Sequence, residues 1–411
     1  MSSTKAPAFA AFKFVGFRFH VITYMLAMMA DSVEHVISYW MLYQKFHSPE
    51  LAGFAVLSHW LPFLFFSVPA GALADKYDPR RLIQVGIALF MICSLSWAYL
   101  FITDTVEQWH AMILLVLHGF AGVLWHTISQ ILLYDIVDAS VLPSAVRILA
   151  SARYLGLLIG PAVGAGLMLT VGPKYGLIVN AFLYLPTILW LATAPYGPAF
   201  RVGDAPVKRA VRGFQDIVQT IRDISGKSVI VSMILLAGTA SFFVGNGYQA
   251  QMPGFAQDLG HGDPGLLYSL LLAADAAGAL IAGIVLESRG FLKPHPRTAL
   301  ILAICWCAIL LTFALNQSYY FAIALLLVCG FFELAFNSMA QSIVQINAPT
   351  EIRGRVIGLY NMAALGMRAG SGITVGLVGG MIGIHASLAI AAATLMFIIS
   401  FILMRYGRSL N

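Results

Sequence analysis

The sequence predicts an all-α membrane protein of twelve transmembrane helices, arranged as two six-helix pseudo-repeat halves. The first observation is composition: 60% of the 411 residues are hydrophobic and only 10% are charged. Soluble domains carry about 25% charged residues, and a chain so poor in charge could not cover a water-soluble globule. The second is length and spacing. Crossing a bilayer takes about 20 mostly apolar residues, and such stretches occur at 19–44, 51–73, 83–103, 111–133, 148–170, 175–195, 229–250, 265–287, 299–315, 320–345, 356–380 and 385–404. The third is the position of the longest polar stretch, residues 196–228, which divides them six and six and contains Arg201, Lys208, Arg209, Arg212, Arg222 and Lys227. The expected organisation is an N-terminal half over 1–195, a basic cytoplasmic linker over 196–228 and a C-terminal half over 229–411.

Charge placement sets the orientation. With the N-terminus in the cytoplasm, only Lys45 and Lys174 of the 24 lysines and arginines fall in outer loops, while Arg153 and Arg368 fall within spans. The others lie inside, as the positive-inside bias requires. A multi-pass plasma-membrane protein with both termini cytoplasmic is expected (the inner membrane in a Gram-negative cell). Lys5, Lys13 and Arg18 precede the first span and no small-residue cleavage site follows it, so that span is expected to stay as an anchor. The net charge of +6 therefore reflects topology and indicates no nucleic-acid partner. Cys93, Cys305, Cys307 and Cys329 all lie in apolar stretches and form no disulfide framework.

A shift of 206 residues superimposes Pro143 on Pro349, Arg147 on Arg353 and Tyr154 on Tyr360. The same shift places Gly160, Gly164 and Gly166 on Gly366, Gly370 and Gly372. Span five thus repeats in span eleven, the mark of a transporter built from two parallel repeats with its site between them. After span two the chain reads Gly71-Ala-Leu73-Ala-Asp75-Lys76-Tyr77-Asp78-Pro79-Arg80-Arg81. Gly71 lets two helices approach closely, Asp75 ends the span with negative charge, and Arg80 and Arg81 hold the loop inside. A degenerate copy, Gly283 to Gly290 with Glu287 and Arg289, follows span eight. Span five carries Gly156, Gly160, Pro161 and Gly164, small residues every four positions that make a flat packing face.

These loops resemble the signature loop of the major facilitator superfamily, and the span-five stripe is similar to the antiporter motif of its exporters. Met252-Pro253-Gly-Phe255-Ala and the segment Gln345 to Val356, with Arg353 and Arg355, resemble the drug-efflux and siderophore-exporter subgroup, including macrolide-efflux and enterobactin-exporter proteins. The resemblance implies that Asp75 meets a helix N-terminus and a basic side chain across the cytoplasmic gate. It also implies that spans one, four, seven and ten line the central cavity. Two departures stand out: Asp78 replaces the usual second glycine of the loop, and Leu115 occupies the span-four position where many proton antiporters have arginine, with His118 just before Gly119.

Ionisable side chains inside a span cost roughly 2.5–3.5 kcal/mol each on insertion scales and usually face a cavity or a partner. Span one contains Asp31, Glu34, His35 and Ser38, spaced to share one helical face. Two carboxylates and an imidazole so close would perturb one another's protonation, which suits proton carriers, cation ligands or a structural network. Span four places His118, Trp125 and Ser129 on one face with His126 beside them. Span five adds Arg153 and Tyr154, span seven Asn246, Tyr248, Gln249 and Gln251, and span eight Asp275. Span ten has Glu333, Asn337 and Gln341, and span eleven has Asn361 and Arg368, which is expected to neutralise Glu333.

The expected function is secondary active transport by alternating access, with proton-coupled export of an amphipathic small molecule, either drug-like or a siderophore. Its partners are that substrate, protons and the lipid bilayer, and the protein is expected to act as a monomer without a cofactor. An alternative keeps the fold and moves a transition-metal ion or metal chelate in either direction, with Asp31, Glu34 and His35, joined by His59, His118 or His126, as ligands. An enzyme is not expected: no Gly-x-Ser-x-Gly elbow, His-Glu-x-x-His motif or phosphate-binding loop is present.

Overall fold

The computed structural model describes residues 8–46, 49–200, 210–245, 247–259, 264–289 and 294–406. Within them the chain is helical, without a strand. The long helices are α1 (Val15–Phe46), α2 (Pro49–Lys76), α3 (Pro79–Ile102), α4 (Gln108–Ile136), α5 (Ala139–Thr170), α6 (Pro173–Phe200), α7 (Ser228–Phe243), α8 (Pro264–Arg289), α9 (Pro296–Leu315), α10 (Tyr319–Asn347), α11 (Thr350–Ile382) and α12 (Ile384–Tyr406). Each coincides with one expected span. Eleven of them are apolar enough by composition to cross a membrane. The twelfth, α1, has 32 residues but carries the Asp31–Glu34–His35 stripe and His20. Its apolar surface is correspondingly broken.

Pro at the first or second position and Asp78 as N-cap start α3, since proline has the right φ and no N–H to waste. On the opposite end of the helices, Lys45 donates to Asp104 at 2.7 Å. That hydrogen bond holds the Asp104 carboxyl below its ordinary pKa range. One of the two basic residues expected in outer loops is therefore neutralised.

Apolar packing separates into a large cluster built on α7–α10 and α12, including Met233, Leu236, Trp306, Phe313 and Leu395. A second is built mainly on α1, α3, α4 and α5, including Phe17, Ile87, Phe90, Trp125 and Leu149. Large apolar side chains such as Leu169, Leu377 and Phe397 point outward, as a lipid-facing surface requires. The small-residue stripe of α5 lies on α1, where Gly156 abuts Met25 and Met28, Gly160 abuts Ser32 and Gly164 abuts Val36. Pro161 faces away from this contact and is exposed.

A side chain at Gly160 would occupy the space of the Ser32 side chain. Gly160→Leu is therefore expected to cost about 1–3 kcal/mol by overpacking. Thermal melting of the purified protein in detergent checks this. An unchanged melting temperature would mean that α1 and α5 need no close approach.

Two of the long helices contain π-turns. In α4 the turn covers Val123–Thr127, and in α11 two turns, Met362–Gly366 and Gly372–Leu377, flank the short α-helical segment Arg368–Ser371. A π-turn widens the helix by one residue and redirects the side chains after it, often at functional positions. Trp125 and His126 lie within the α4 turn, and Arg368 lies between the two turns of α11.

Candidate functional site

The span-one stripe meets α4. His118 places Nε2 2.8 Å from Asp31 Oδ1 and Nδ1 2.9 Å from Glu34 Oε1. All three residues are at most 5% exposed. Each of the two short contacts needs one proton, and a neutral imidazole has only one N–H. The trio therefore holds two protons in these contacts, as an imidazolium between two carboxylates or as a neutral imidazole with one protonated carboxyl.

His35 donates from Nδ1 to the Asp31 main-chain carbonyl at 2.7 Å. Its ring centroid lies 4.6 Å from that of His118 and 4.9 Å from that of His59 on α2. These three histidines have ring nitrogens within 4.8 Å of one another. His59 Nδ1 and Glu34 Oε2 are buried without a hydrogen-bond partner among the described residues. Of the metal ligands offered by the sequence, His35, His59 and His118 form this cluster, while Asp31 and Glu34 are engaged with His118.

His126 stands apart. Gln130 Nε2 lies 3.0 Å from its Nε2 and Tyr24 Oη lies 2.8 Å from its Nδ1. With the Gln130 amide donating, Nδ1 carries the ring proton toward Tyr24. Trp125 stacks on Tyr24 with centroids 4.8 Å apart.

A second buried acid pair forms between α8 and α10. Tyr248 Oη lies 3.1 Å from both Asp275 Oδ2 and Glu333 Oε2, and Gln249 Nε2 donates to Asp275 Oδ2 at 2.9 Å. Arg368 faces the charge of Glu333 through space, as expected, but makes no direct ion pair with it. Arg368 donates Nε to the Ala364 carbonyl at 3.2 Å and lays its guanidinium over Trp60, 5.0 Å from the ring centroid. Arg368 shares the cavity wall with Asn361, as their seven-residue spacing implied, and reaches Trp60 of α2 from there.

A central cavity of about 70 Å³ opens between α1, α4, α5, α10 and α11, with Arg153, Asn337 and Arg368 in its wall. A smaller hollow of about 30 Å³ beside it is lined by Asp31, His59, Trp60 and Trp125. Both hollows share His126, Arg153 and Leu365. Asp31 of the trio thus lines a hollow that shares Arg153 with the central cavity. Asn246 lies outside the described residues.

The basic-loop end is sealed by two cross-molecule contacts. At the α2–α11 contact Gly71 and Gly354 pack backbone to backbone, and a Cβ on either would collide with the other's carbonyl. Asp75 then accepts from the Gly354 N–H at 2.6 Å and from Arg355 Nη1 at 2.9 Å. Arg355 also holds Asp216, at 3.1 Å, on the linker helix Gln215–Ile224. At the α5–α8 contact Arg147 clamps Glu287 with two nitrogens, at 2.8 and 2.7 Å, and Ser144 bonds the same carboxylate.

Other loop residues brace single elements. Arg80 grips Asp78, with Nη2 2.7 Å from Oδ2, and donates to the Ala194 carbonyl at 2.5 Å. Arg81 bonds Gln84, and Arg353 lies over the Tyr134 ring at 3.9 Å. The Arg289 side chain lies outside what is described. Arg147 and Asp216 are contributors that the motifs did not single out as site residues. Arg147 had a signal in the internal repeat, whereas Asp216 had none.

The sequence pattern of the Major Facilitator Superfamily matches residues 21–372. This chain belongs to that superfamily. It is a multi-pass membrane protein of a superfamily of transporters. Among curated proteins it is similar to the staphyloferrin A transporter of Staphylococcus aureus (strain NCTC 8325 / PS 47), at 21% identity over 252 residues. That match covers 60% of this chain, and the chain spans 60% of that relative's length. The fold also matches solved structures. The fucose:proton symporter FucP of E. coli matches with a TM-score of 0.71 at 13% identity, over 94% of this chain and 98% of that one. The human organic anion transporter MFSD10 (TETRAN) matches with a TM-score of 0.69 at 15% identity, over 94% and 99%.

Proposed function

We propose that this transporter moves a siderophore-type small molecule by alternating access, driven by protons exchanged at the Asp31–His118–Glu34 trio. The observation that carries this reading is the trio itself: two acids and an imidazole, nearly fully buried, with Asp31 in the wall of the smaller hollow that shares Arg153 with the central cavity. Such groups are costly in a membrane unless they work. The halves 1–195 and 229–411, joined by the linker 196–228, would rock about the cavity. With the basic loops cytoplasmic in the plasma membrane, the sealed end faces inward, and substrate leaves outward as protons enter. The similarity to a staphyloferrin A transporter supports a siderophore over a drug as cargo. The protein is taken to act as a monomer.

A second reading, transport of a transition-metal ion, is favoured by the convergence of His35, His59 and His118. It ranks lower because both ring nitrogens of His118 are already held by carboxylates.

Proteoliposomes under an imposed pH gradient separate the two. Siderophores, iron chelates, drug-like compounds and divalent metals are added in turn while lumenal pH is recorded. The expected result is substrate-driven proton movement that Asp31→Asn and Glu34→Gln each reduce to the protein-free background. If only metals respond, and His35→Ala and His118→Ala fail with them, the metal reading replaces it. Transport that ignores both the gradient and the acid variants would reject proton coupling at this site.

A further inference from the structure

We propose that the central cavity selects a multiply charged anion, a molecule with at least two carboxylates, gripped at once by Arg153 of α5 and Arg368 of α11. This deepens the function proposed above and rests on the cavity being the substrate site. Arg153 makes no hydrogen bond or ion pair with any described residue, although it lines both hollows. Arg368 uses only Nε, on its own helix, and its terminal amino groups find no acceptor among the described residues. No aspartate or glutamate lines the cavity. The nearest acid on α10, Glu333, is bonded to Tyr248 instead. Asn361 Nδ2, in the same wall, is a further buried donor without a partner among the described residues.

Two guanidiniums facing one small cavity with no carboxylate are expensive in a medium of low dielectric. A ligand that brings negative charge would relieve both. Guanidinium is also the side chain whose planar fork matches a carboxylate with two parallel hydrogen bonds. Because the arginines come from opposite halves, a ligand with one carboxylate satisfies one half only. A ligand with two or more bridges them, and this bridging distinguishes polycarboxylates from the monocarboxylates and neutral amphiphiles that the fold could otherwise carry.

The probe is tricarballylate, a flexible tricarboxylate, compared with its uncharged triamide on the purified full chain in nanodiscs without any pH gradient. Binding is followed by titration calorimetry and by tryptophan emission, with Trp60→Phe identifying the signal of the ring beneath Arg368. The expected result is saturable binding of the tricarboxylate and none of the triamide. Each of Arg153→Gln and Arg368→Gln should weaken binding by roughly tenfold or more, the scale of a lost charge-assisted hydrogen bond. Lysine at either position, which keeps charge but loses the fork, should fall between.

Glu333 acts on both guanidiniums through space without bonding either, so the melting temperature of each glutamine variant is measured alongside and binding is compared between variants that melt like wild type. Weak binding then reads as loss of the site and not of the fold. Absence of tricarboxylate binding, equal binding of the triamide, or glutamine variants that bind as wild type would each overturn the proposal. Arginine-dependent binding without substrate-driven proton movement keeps the anion site and rejects the coupling mechanism. Proton movement driven by uncharged compounds in the glutamine variants does the reverse.

Discussion

Replacing His118 with leucine is expected to destabilise the protein by about 3–5 kcal/mol, the cost of breaking a buried ion pair from one side. The substitution leaves Asp31 and Glu34, 4% and 1% exposed, facing an apolar side chain with no donor in place of the imidazole. The magnitude also separates the two proton arrangements. Removing an imidazolium from between two carboxylates strands charge, whereas removing a neutral imidazole beside a protonated carboxyl strands hydrogen-bonding groups. That second loss is worth only about 1–3 kcal/mol. The triple variant Asp31→Asn, Glu34→Gln, His118→Leu removes the charges together and should recover most of the loss, because a buried ionic network replaced as a unit costs little. Equilibrium melting of the single and triple variants in detergent provides the measurement. A single variant as stable as wild type would show that the trio stores no interaction energy, and the coupling role assigned to it would fall with that result.

How much of this was legible in the sequence depends on what each feature costs. The spans were legible because hydrocarbon tolerates no exposed polar backbone, so each crossing must be a long apolar helix. The Asp31–Glu34–His35 stripe was legible because charge in a span is rare and helical spacing fixes which residues share a face. Asp75 at the α11 N-terminus followed from the loop motif. Partners, in contrast, were not legible. His118 lies 84 residues from Glu34, and Arg355 lies 280 from Asp75 and 139 from Asp216. Periodicity within one helix carries no information about which neighbour it meets. The π-turns escaped for a related reason: each adds a residue to a helix without altering its composition, yet redirects everything beyond it. Arg368 reaches Trp60 across the cavity, while Tyr248 lies within hydrogen-bond distance of Glu333, and neither partner could be read from spacing within one helix.

The second large effect falls at the sealed end. Arg355 is 2% exposed and serves three acceptors: Asp75 at 2.9 Å, Asp216 at 3.1 Å and the Ala210 carbonyl at 3.0 Å. Arg355→Ala leaves two carboxylates without their cation while the end stays closed, and opening it returns both to water. The closed arrangement should therefore lose about 3–5 kcal/mol relative to the open one. At 1.4 kcal/mol per factor of ten, its population ratio falls by roughly two to three and a half orders of magnitude. The equivalent contact at α5–α8 engages a single carboxylate, Glu287, so Arg147→Ala should shift the balance less.

Spin labels at Tyr77 and Ile346, both exposed near the ends of α2 and α10, report the separation across the seal in a background whose four native cysteines are serine. Arg355→Ala should convert the short distance to a long one. Adding Asp75→Asn and Asp216→Asn should restore part of the short population by removing the stranded charge. If Arg355→Ala leaves the distances unchanged, the backbone contact of Gly71 with Gly354 closes this end without help from charge. Gly71→Leu, which cannot fit against that carbonyl, would then be the substitution that opens it.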